Sequence, residues 1–288
     1  MKPQSIMKLA QFTRKFSRYE NPFAFRLIRK MLKIVYPIKK PHSSFRSVID
    51  YDRGFINVDT SSLAEYKILF FGYYEPAITS LIKNIVKSGD LCLDIGANIG
   101  AITLVMSFTT GRKGKVIAIE PHPMMIERLR ANVELNRLDN VSIMPVALSD
   151  TAGRTALFTA EEDYFHQGRS SLKPSQSINR EVSIEKVTGK MLQEKIGNQL
   201  CKFVKIDVEG HDFIVLKELA YIIDMHRPHI VFEYHRDRWK DHHCKIQQAI
   251  EFINKYDYRI YFIKHGLVFP FEREVPNSCD LFCSPKIN

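Results

Sequence analysis

Cysteine is scarce in this chain. There are five among 288 residues, Cys92, Cys201, Cys244, Cys279 and Cys283, with no Cys-x-x-Cys pair. An odd and sparse set excludes a disulfide framework and fits a reducing compartment. Long apolar runs are also missing: none approaches the roughly 18 residues that span a bilayer. The start, Met1-Lys2-Pro3-Gln4-Ser5, leads into repeated charges rather than an apolar stretch. That is not the pattern of a cleavable secretory signal, so a cytoplasmic location is expected. Internal repeats and low-complexity tracts are absent. What remains is ordinary globular composition, 45% hydrophobic and 26% charged, at a length that suits one large domain or two small ones.

The charge is unevenly divided. Residues 1–50 hold 12 Lys/Arg against 2 Asp/Glu, which accounts for the whole net charge of +10; residues 51–288 hold 30 of each. A nucleic-acid enzyme more often carries its basic charge around its site. This pattern reads instead as a basic, amphipathic, helical arm (1–50) on a neutral body (51–288). The better of its two amphipathic stretches begins at Asn21-Pro22 and ends before Pro37, with Leu27, Ile28, Met31, Leu32 and Val35 on one face. Two roles are open to it: a helix packed on the protein, or a peripheral contact with an anionic membrane at its inner face.

From Glu75 onward apolar strands and helical patterns alternate. Strands are predicted at Leu91–Ile95, Lys115–Ile119, Val141–Pro145, Phe203–Val208, Ile230–Tyr234 and Tyr258–Ile263, with helices between them. Such alternation predicts a mostly parallel sheet with helices on both faces. The interval 151–200 breaks the rhythm and predicts an extra hairpin plus a mobile loop.

The chemistry is carried by Leu93-Asp94-Ile95-Gly96-Ala97-Asn98-Ile99-Gly100, a strand running through a glycine loop into a helix. Gly96 permits close approach of a ligand, and Gly100 close packing of the helix. A GxGxxG fingerprint is missing, which argues against a dinucleotide. Asp94 would repel a pyrophosphate but could accept from an ammonium group. Glu120 ends the second strand, where an acidic residue binds the two hydroxyls of a ribose. A ribose and an ammonium without a phosphate cradle describe S-adenosylmethionine.

Together with Tyr74-Glu75-Pro76, Ile119-Glu120-Pro121, Asn132 through Asn136, Ala147-Leu148-Ser149-Asp150, Lys205-Ile206-Asp207-Val208-Glu209-Gly210-His211 and Phe232-Glu233, this segment resembles the FkbM-type methyltransferases over about residues 70–265. The resemblance implies the class I methyltransferase Rossmann-like fold with a seven-stranded sheet, and S-adenosylmethionine as methyl donor. It also implies transfer to oxygen, often a saccharide hydroxyl of a glycan, glycolipid or natural product. By the same resemblance Asp94, Gly96 and Asn98 line the methionine end of the cofactor. Glu120 holds the ribose, Ala147 to Asp150 lie beside the adenine, and Glu75 approaches from the preceding helix.

The sulfonium donor needs no metal, so catalysis rests on alignment and removal of the hydroxyl proton. Alternation along an extended strand would put Asp207 and Glu209 on one face. His211 has two readings, a general base or a helix-start histidine bonded locally. Glu233 likewise binds a sugar hydroxyl or is an exposed strand-end carboxylate. The cluster His235, Asp237, Asp241, His242, His243 and Cys244 lacks His-x-x-x-His spacing and reads as a solvated loop rather than a metal site. Alternatively Arg236, Arg238 and Trp239, with His235, rim the acceptor, because an aromatic ring can stack on a sugar. Two rival functions stay open. A nucleic-acid methyltransferase would use the basic arm as its grip, although no Asn/Asp-Pro-Pro-Tyr/Phe motif is present. A non-catalytic binding protein would keep the fold without turnover.

Overall fold

The charge step at residue 50 does not mark a structural boundary. The computed structural model describes residues 3–17, 30–32, 45–60, 62–159, 170–172, 180–264, 267–271 and 275–286. They separate into two compact units, one up to Tyr74 and one from Glu75 onward. The expected division at 50/51 is therefore corrected to 74/75. The excess of basic over acidic residues stops at 50, but strand β1 (Arg46–Tyr51) crosses that point and pairs with β2 (Gly54–Asp59).

In the first unit, the helix Pro3–Ser17 buries Ile6, Ala10 and Thr13, a stripe at i, i+4 and i+7. Thr13 Oγ1 donates to the Phe70 carbonyl at 2.6 Å, and Arg14 Nε to the Leu69 carbonyl at 2.6 Å. Both acceptors lie on the helix Leu63–Phe71. The β1–β2 hairpin turns at Asp52-Arg53, with Asp52 at φ 52°, as a two-residue hairpin loop requires. The helix expected from Asn21 to Pro37 lies outside the described residues except at 30–32. Those three are helical, and Leu32 is buried. Ile6, Ala10 and Leu32 thus serve packing, while Phe12 is exposed. Among the described residues no helix is long and apolar enough to cross a membrane.

The second unit is built on β3 (Leu91–Ile95), β4 (Lys115–Ile119), β5 (Val141–Met144), β10 (Cys201–Ile206), β11 (His229–His235), β12 (Tyr258–Lys264), β13 (Leu267–Pro270) and β14 (Ser278–Pro285). Their order is β13-β12-β14-β11-β10-β3-β4-β5. Strands β5, β4, β3, β10 and β11 are parallel, while β14 runs antiparallel to both β11 and β12. Every residue of β3 is buried, so both faces of the sheet are covered. The seven expected strands become eight because β13 folds back on β12 at the edge. All four residues of β13 are exposed although Leu267, Val268 and Phe269 are apolar, and a strand ending in Pro270 suits an edge.

The extra hairpin expected in 151–200 is β7 (Gly153–Thr159) against β9 (Arg180–Val187), flanked by the two-residue strands β6 (Ala147–Leu148) and β8 (Ser170–Ser171). The expected loop between them falls mostly outside the described residues. The helix Gly189–Ile196 was not foreseen; it returns the chain to β10.

Candidate active site

The carboxyl ends of β3 and β4 carry the first group of residues. The loop after β3 turns on Gly96 at φ 82°, Asn98 at φ 52° and Gly100 at φ 91°. A Cβ on Gly96 would stand 1.8 Å from the carbonyl oxygen of Asp207. Gly96 is thus required first by the neighbouring β10 backbone and not only by a ligand. A Cβ on Gly100 would meet Leu129 at 2.5 Å, on the helix Pro123–Leu135. Gly96 and Ala97 donate their N–H groups to the Ile119 carbonyl, which ties the loop to the end of β4.

Asp94 is completely buried. Its Oδ2 accepts from Thr103 Oγ1 at 2.5 Å, while Oδ1 has no hydrogen-bond partner among the described residues. Burial pushes its pKa up, and Lys205 and the Thr103 hydroxyl oppose that rise. Glu120 is 5% exposed and accepts the N–H of Asn98 at 2.8 Å on Oε2 and that of His122 at 2.9 Å on Oε1. Each oxygen keeps a further lone pair. Burial raises its pKa to about 7 against the effect of those two N–H groups. Two buried carboxyls on adjacent strands thus have acceptor capacity left over, and one oxygen, Asp94 Oδ1, has no donor among the described residues.

Beside them, Lys205 faces Asp94 in the β3–β10 register and donates to Asp207 Oδ2 at 3.0 Å. It is 4% exposed. Burial alone would lower its pKa, but Asp207, Glu75 and Asp94 outweigh burial and leave it raised. Glu75 sits at φ 43° immediately before the helix Pro76–Ile85 and within the electrostatic reach of this lysine. Of the two lysines in Cys201–Ile206, Lys202 is exposed and Lys205 stands between Val204 and Ile206, a buried stretch in which a lysine is itself a signal.

The expected pairing of Asp207 with Glu209 fails. Alternation ends with β10 at Ile206, and the chain then turns through Glu209 at φ 54° and Gly210 at φ 106°. Asp212 closes this turn, accepting from the N–H groups of Val208 and Gly210, both at 3.0 Å. Asp207 therefore binds Lys205, whereas Glu209 makes a close ion pair with Arg238. Arg238 also reaches Glu233 at 3.1 Å, so one guanidinium joins two half-buried carboxylates, one from the turn after β10 and one from β11. The arginine of the anticipated rim is there, but its aromatic partner is not. Trp239 is fully buried, stacked on Phe213 at 5.8 Å and on Phe232 at 6.2 Å, and is corrected from acceptor rim to core. His235 ends β11 opposite Ser278 and is half-buried.

His211 opens the helix Asp212–Glu218 and is 8% exposed. Its Nε2 lies 3.1 Å from Ser149 Oγ and its Nδ1 3.5 Å from His242 Nδ1. Burial and the His242 ring lower its pKa to about 4, with Asp150 opposing. These contacts match the locally bonded reading: a neutral imidazole linking the β10 turn to the loop Ala147 to Asp150. In that loop Ala147 and Ser149 are buried while Asp150 is exposed. Among the described residues no group of three or more His, Cys, Asp or Glu is arranged to hold a metal ion. The five cysteines are free thiols.

Residues 94–260 match the family described as "Methyltransferase FkbM domain". The chain is 36% identical over 70 residues to a protein of Sulfolobus acidocaldarius named "Probable cobalt-precorrin-6B C(15)-methyltransferase (decarboxylating)", covering 24% of this chain and 36% of that one. It is 25% identical over 136 residues to the protein-L-isoaspartate O-methyltransferase of Caenorhabditis elegans, covering 46% and 58%. The chain thus spans less than two thirds of the length of these relatives. Among solved structures, the methyltransferase FkbM from Methylobacillus flagellatus KT aligns with TM-score 0.42 and 14% identity, covering 75% of this chain and 54% of that one.

Proposed function

The chain belongs to the FkbM methyltransferase family, and from that premise we propose that it transfers a methyl group from S-adenosylmethionine to a saccharide hydroxyl, free or lipid-linked. The observation that carries the cofactor part is the pair of buried carboxyls, Asp94 with an unpartnered Oδ1 and Glu120 with spare lone pairs. Asp94 fits an ammonium group, and Glu120 fits vicinal ribose hydroxyls. Bound S-adenosylmethionine supplies a methyl group on a sulfonium, already activated for displacement.

The chain's own residues do the rest. Glu75, Asp94 and Asp207 surround the single cation Lys205. Their net negative field favours a cationic donor over its neutral demethylated product, and so helps exchange one for the other. Thr103 holds Asp94 in place, and the N–H groups of Asn98 and His122 hold Glu120. Gly96 keeps the loop against β10, so that the β3 and β10 ends are locked together. This serves alignment, on which a displacement at carbon depends.

The relatives' printed names differ in the atom methylated, carbon in one and oxygen in the other, so the acceptor reading rests on the site. Glu209, Arg238 and Glu233 form a half-exposed row of acceptors and donors suited to hydroxyls. The neutral balance of residues 51–288 argues against a polyanionic acceptor. The free thiols of the five cysteines fit an enzyme of a reducing compartment.

The test is calorimetric titration of S-adenosylmethionine and its demethylated product, with Glu120→Ala as control. Release of the product is then followed with a panel of methyl glycosides. Micromolar binding lost in the variant, plus turnover of at least one glycoside, is the expected result. Well-folded protein that binds no cofactor would overturn the enzymatic reading. Binding without turnover of any glycoside would overturn the saccharide acceptor.

A further inference from the structure

We propose that Asp280, on the antiparallel strand β14, is the group that takes the proton from the acceptor hydroxyl. The inference rests on the reading of this site as a methyl-transfer site to oxygen. Its basis is the register across four strands. Asp94, Lys205, Val231 and Phe282 stand level on β3, β10, β11 and β14, followed by Ile95, Ile206, Phe232 and Leu281. At the next level Glu233 stands directly opposite Asp280. Asp207 continues the β10 line into that level, since its N–H donates to the Ile95 carbonyl at 2.9 Å. Levels two apart share a face. One face of the sheet thus carries Asp94 and Lys205, then Asp207, Glu233 and Asp280 at the strand ends, where ligands of parallel sheets bind.

The members of this row are not equivalent. Asp207 is held by Lys205, and Glu233 by Arg238. The Asp280 side chain has no hydrogen bond or ion pair among the described residues and keeps its oxygens available. Two facing carboxylates on antiparallel neighbours repel each other, so one of the pair retains a proton. Glu233 is paired with Arg238, so the repulsion falls on Asp280 and raises its affinity for a proton. Burial, then Asp207 and Glu233, raise the pKa of Asp280 to about 7, with Lys205 opposing and Asp212 adding a smaller push. Its neighbour on β12, Ile263, brings no charge. A ligand at this face is indicated independently by Asp94, completely buried, whose Oδ1 is unpartnered among the described residues and which shares Lys205 with Asp207.

The step balances simply. The oxygen–carbon bond forms as the carbon–sulfur bond breaks, and the bonding pair stays on sulfur. The hydroxyl proton moves to the Asp280 carboxylate and from there to water. A carboxylate with this raised affinity for protons is a better base than an ordinary one.

The test uses the full chain and the variants Asp280→Asn and Asp280→Glu. Cofactor affinity, by calorimetry, should stay within about twofold of wild type. With methyl glycosides as acceptors, wild-type turnover should rise with pH through about 7. Asp280→Asn should lower turnover roughly 10²–10⁴-fold and erase that rise, while Asp280→Glu should restore part of the rate with the rise displaced. Unchanged turnover and an unchanged pH profile in Asp280→Asn would overturn the proposal. If wild type binds cofactor but methylates no glycoside, the saccharide reading is what fails. Asp280 is then decided by a carbon-13 carboxyl titration of wild type against Asp280→Asn. A midpoint near 7 that the variant removes supports the role, and an ordinary midpoint near 4 overturns it.

Discussion

The two halves of the strand-end site are held by different means. The β3–β4 half is set by backbone. Gly96, Asn98 and Gly100 adopt positive φ, and Glu120 is clamped by two main-chain N–H groups, all within residues 94–122. The β10–β11–β14 half is set by charge. Lys205, Asp207, Glu209, Glu233, Arg238 and Asp280 come from four separate elements and are matched by ion pairs and repulsion. Backbone geometry fails all at once when a side chain intrudes. A charge network responds by degrees and to pH. The first suits a cofactor of fixed shape, and the second suits acceptor recognition and proton handling.

The largest effect is expected where backbone geometry is attacked. Gly96→Val puts a Cβ inside the Asp207 carbonyl at a φ of 82°. Conformational strain of ~1–3 kcal/mol adds to overpacking of ~1–3 kcal/mol. Cofactor binding should be abolished and the melting temperature lowered by several degrees. Retained binding would show that the β3–β10 contact does not set the site. Next comes Asp94→Asn, which leaves the Thr103 contact feasible but removes the charge. Loss of one charged hydrogen bond, ~1.5–3 kcal/mol, predicts cofactor affinity roughly 10–150-fold weaker with little change in melting. Calorimetry and thermal unfolding on the same sample separate the two effects.

This contrast explains what was legible in the sequence. The backbone half was readable because its signals are contiguous: an apolar run, Asp94, the glycines, then Glu120 at the end of the next strand. The charge half depends on strand order, which no local pattern reveals. Asp280 is one acid in a short apolar run, and only the insertion of β14 between β11 and β12 brings it to the site. Glu209 was assigned to the face of Asp207 because alternation was carried past the end of β10. Trp239 looked like a surface residue because its helix, Arg236–Asp241, is charged on every other side. The orientation of a single-turn helix is decided by what it packs on, here Phe213 and Phe232. β13 is apolar throughout but too short for its period to mark a separate strand, and the step in charge at residue 50 is not a step in packing.

Within the charge half, Arg238 is the sharpest probe. Arg238→Ala leaves Glu209 and Glu233 without their shared guanidinium. Exposed ion pairs are worth ~0–1 kcal/mol, but this one joins two half-buried carboxylates. Acceptor KM should rise roughly tenfold, equivalent to about 1.4 kcal/mol, while cofactor affinity is unchanged. A parallel loss of cofactor affinity would mean that the two halves are not independent.

The smallest effect tests whether both halves store the same kind of electrostatic cost. Glu120 in one half, Asp280 in the other and Asp212 in the turn all have pKa values raised to about 7. Between ~4 and ~7 the folded state then holds more protons than the unfolded chain, so stability falls as pH rises through that window. His211 and His229, lowered to about 4, act in the opposite sense between ~4 and ~6.5. The two trends offset each other at acidic pH and leave the carboxyls alone above ~6.5. Without cofactor, the melting temperature should therefore decline by a few degrees from pH ~6.5 to ~8, at low salt. Glu120→Gln and Asp280→Asn should each flatten that decline, and the double variant should flatten it further, because the sites lie on different strands and share no hydrogen bond. If only Glu120→Gln does so, Asp280 is an ordinary strand-end carboxylate and the acceptor half stores no such cost.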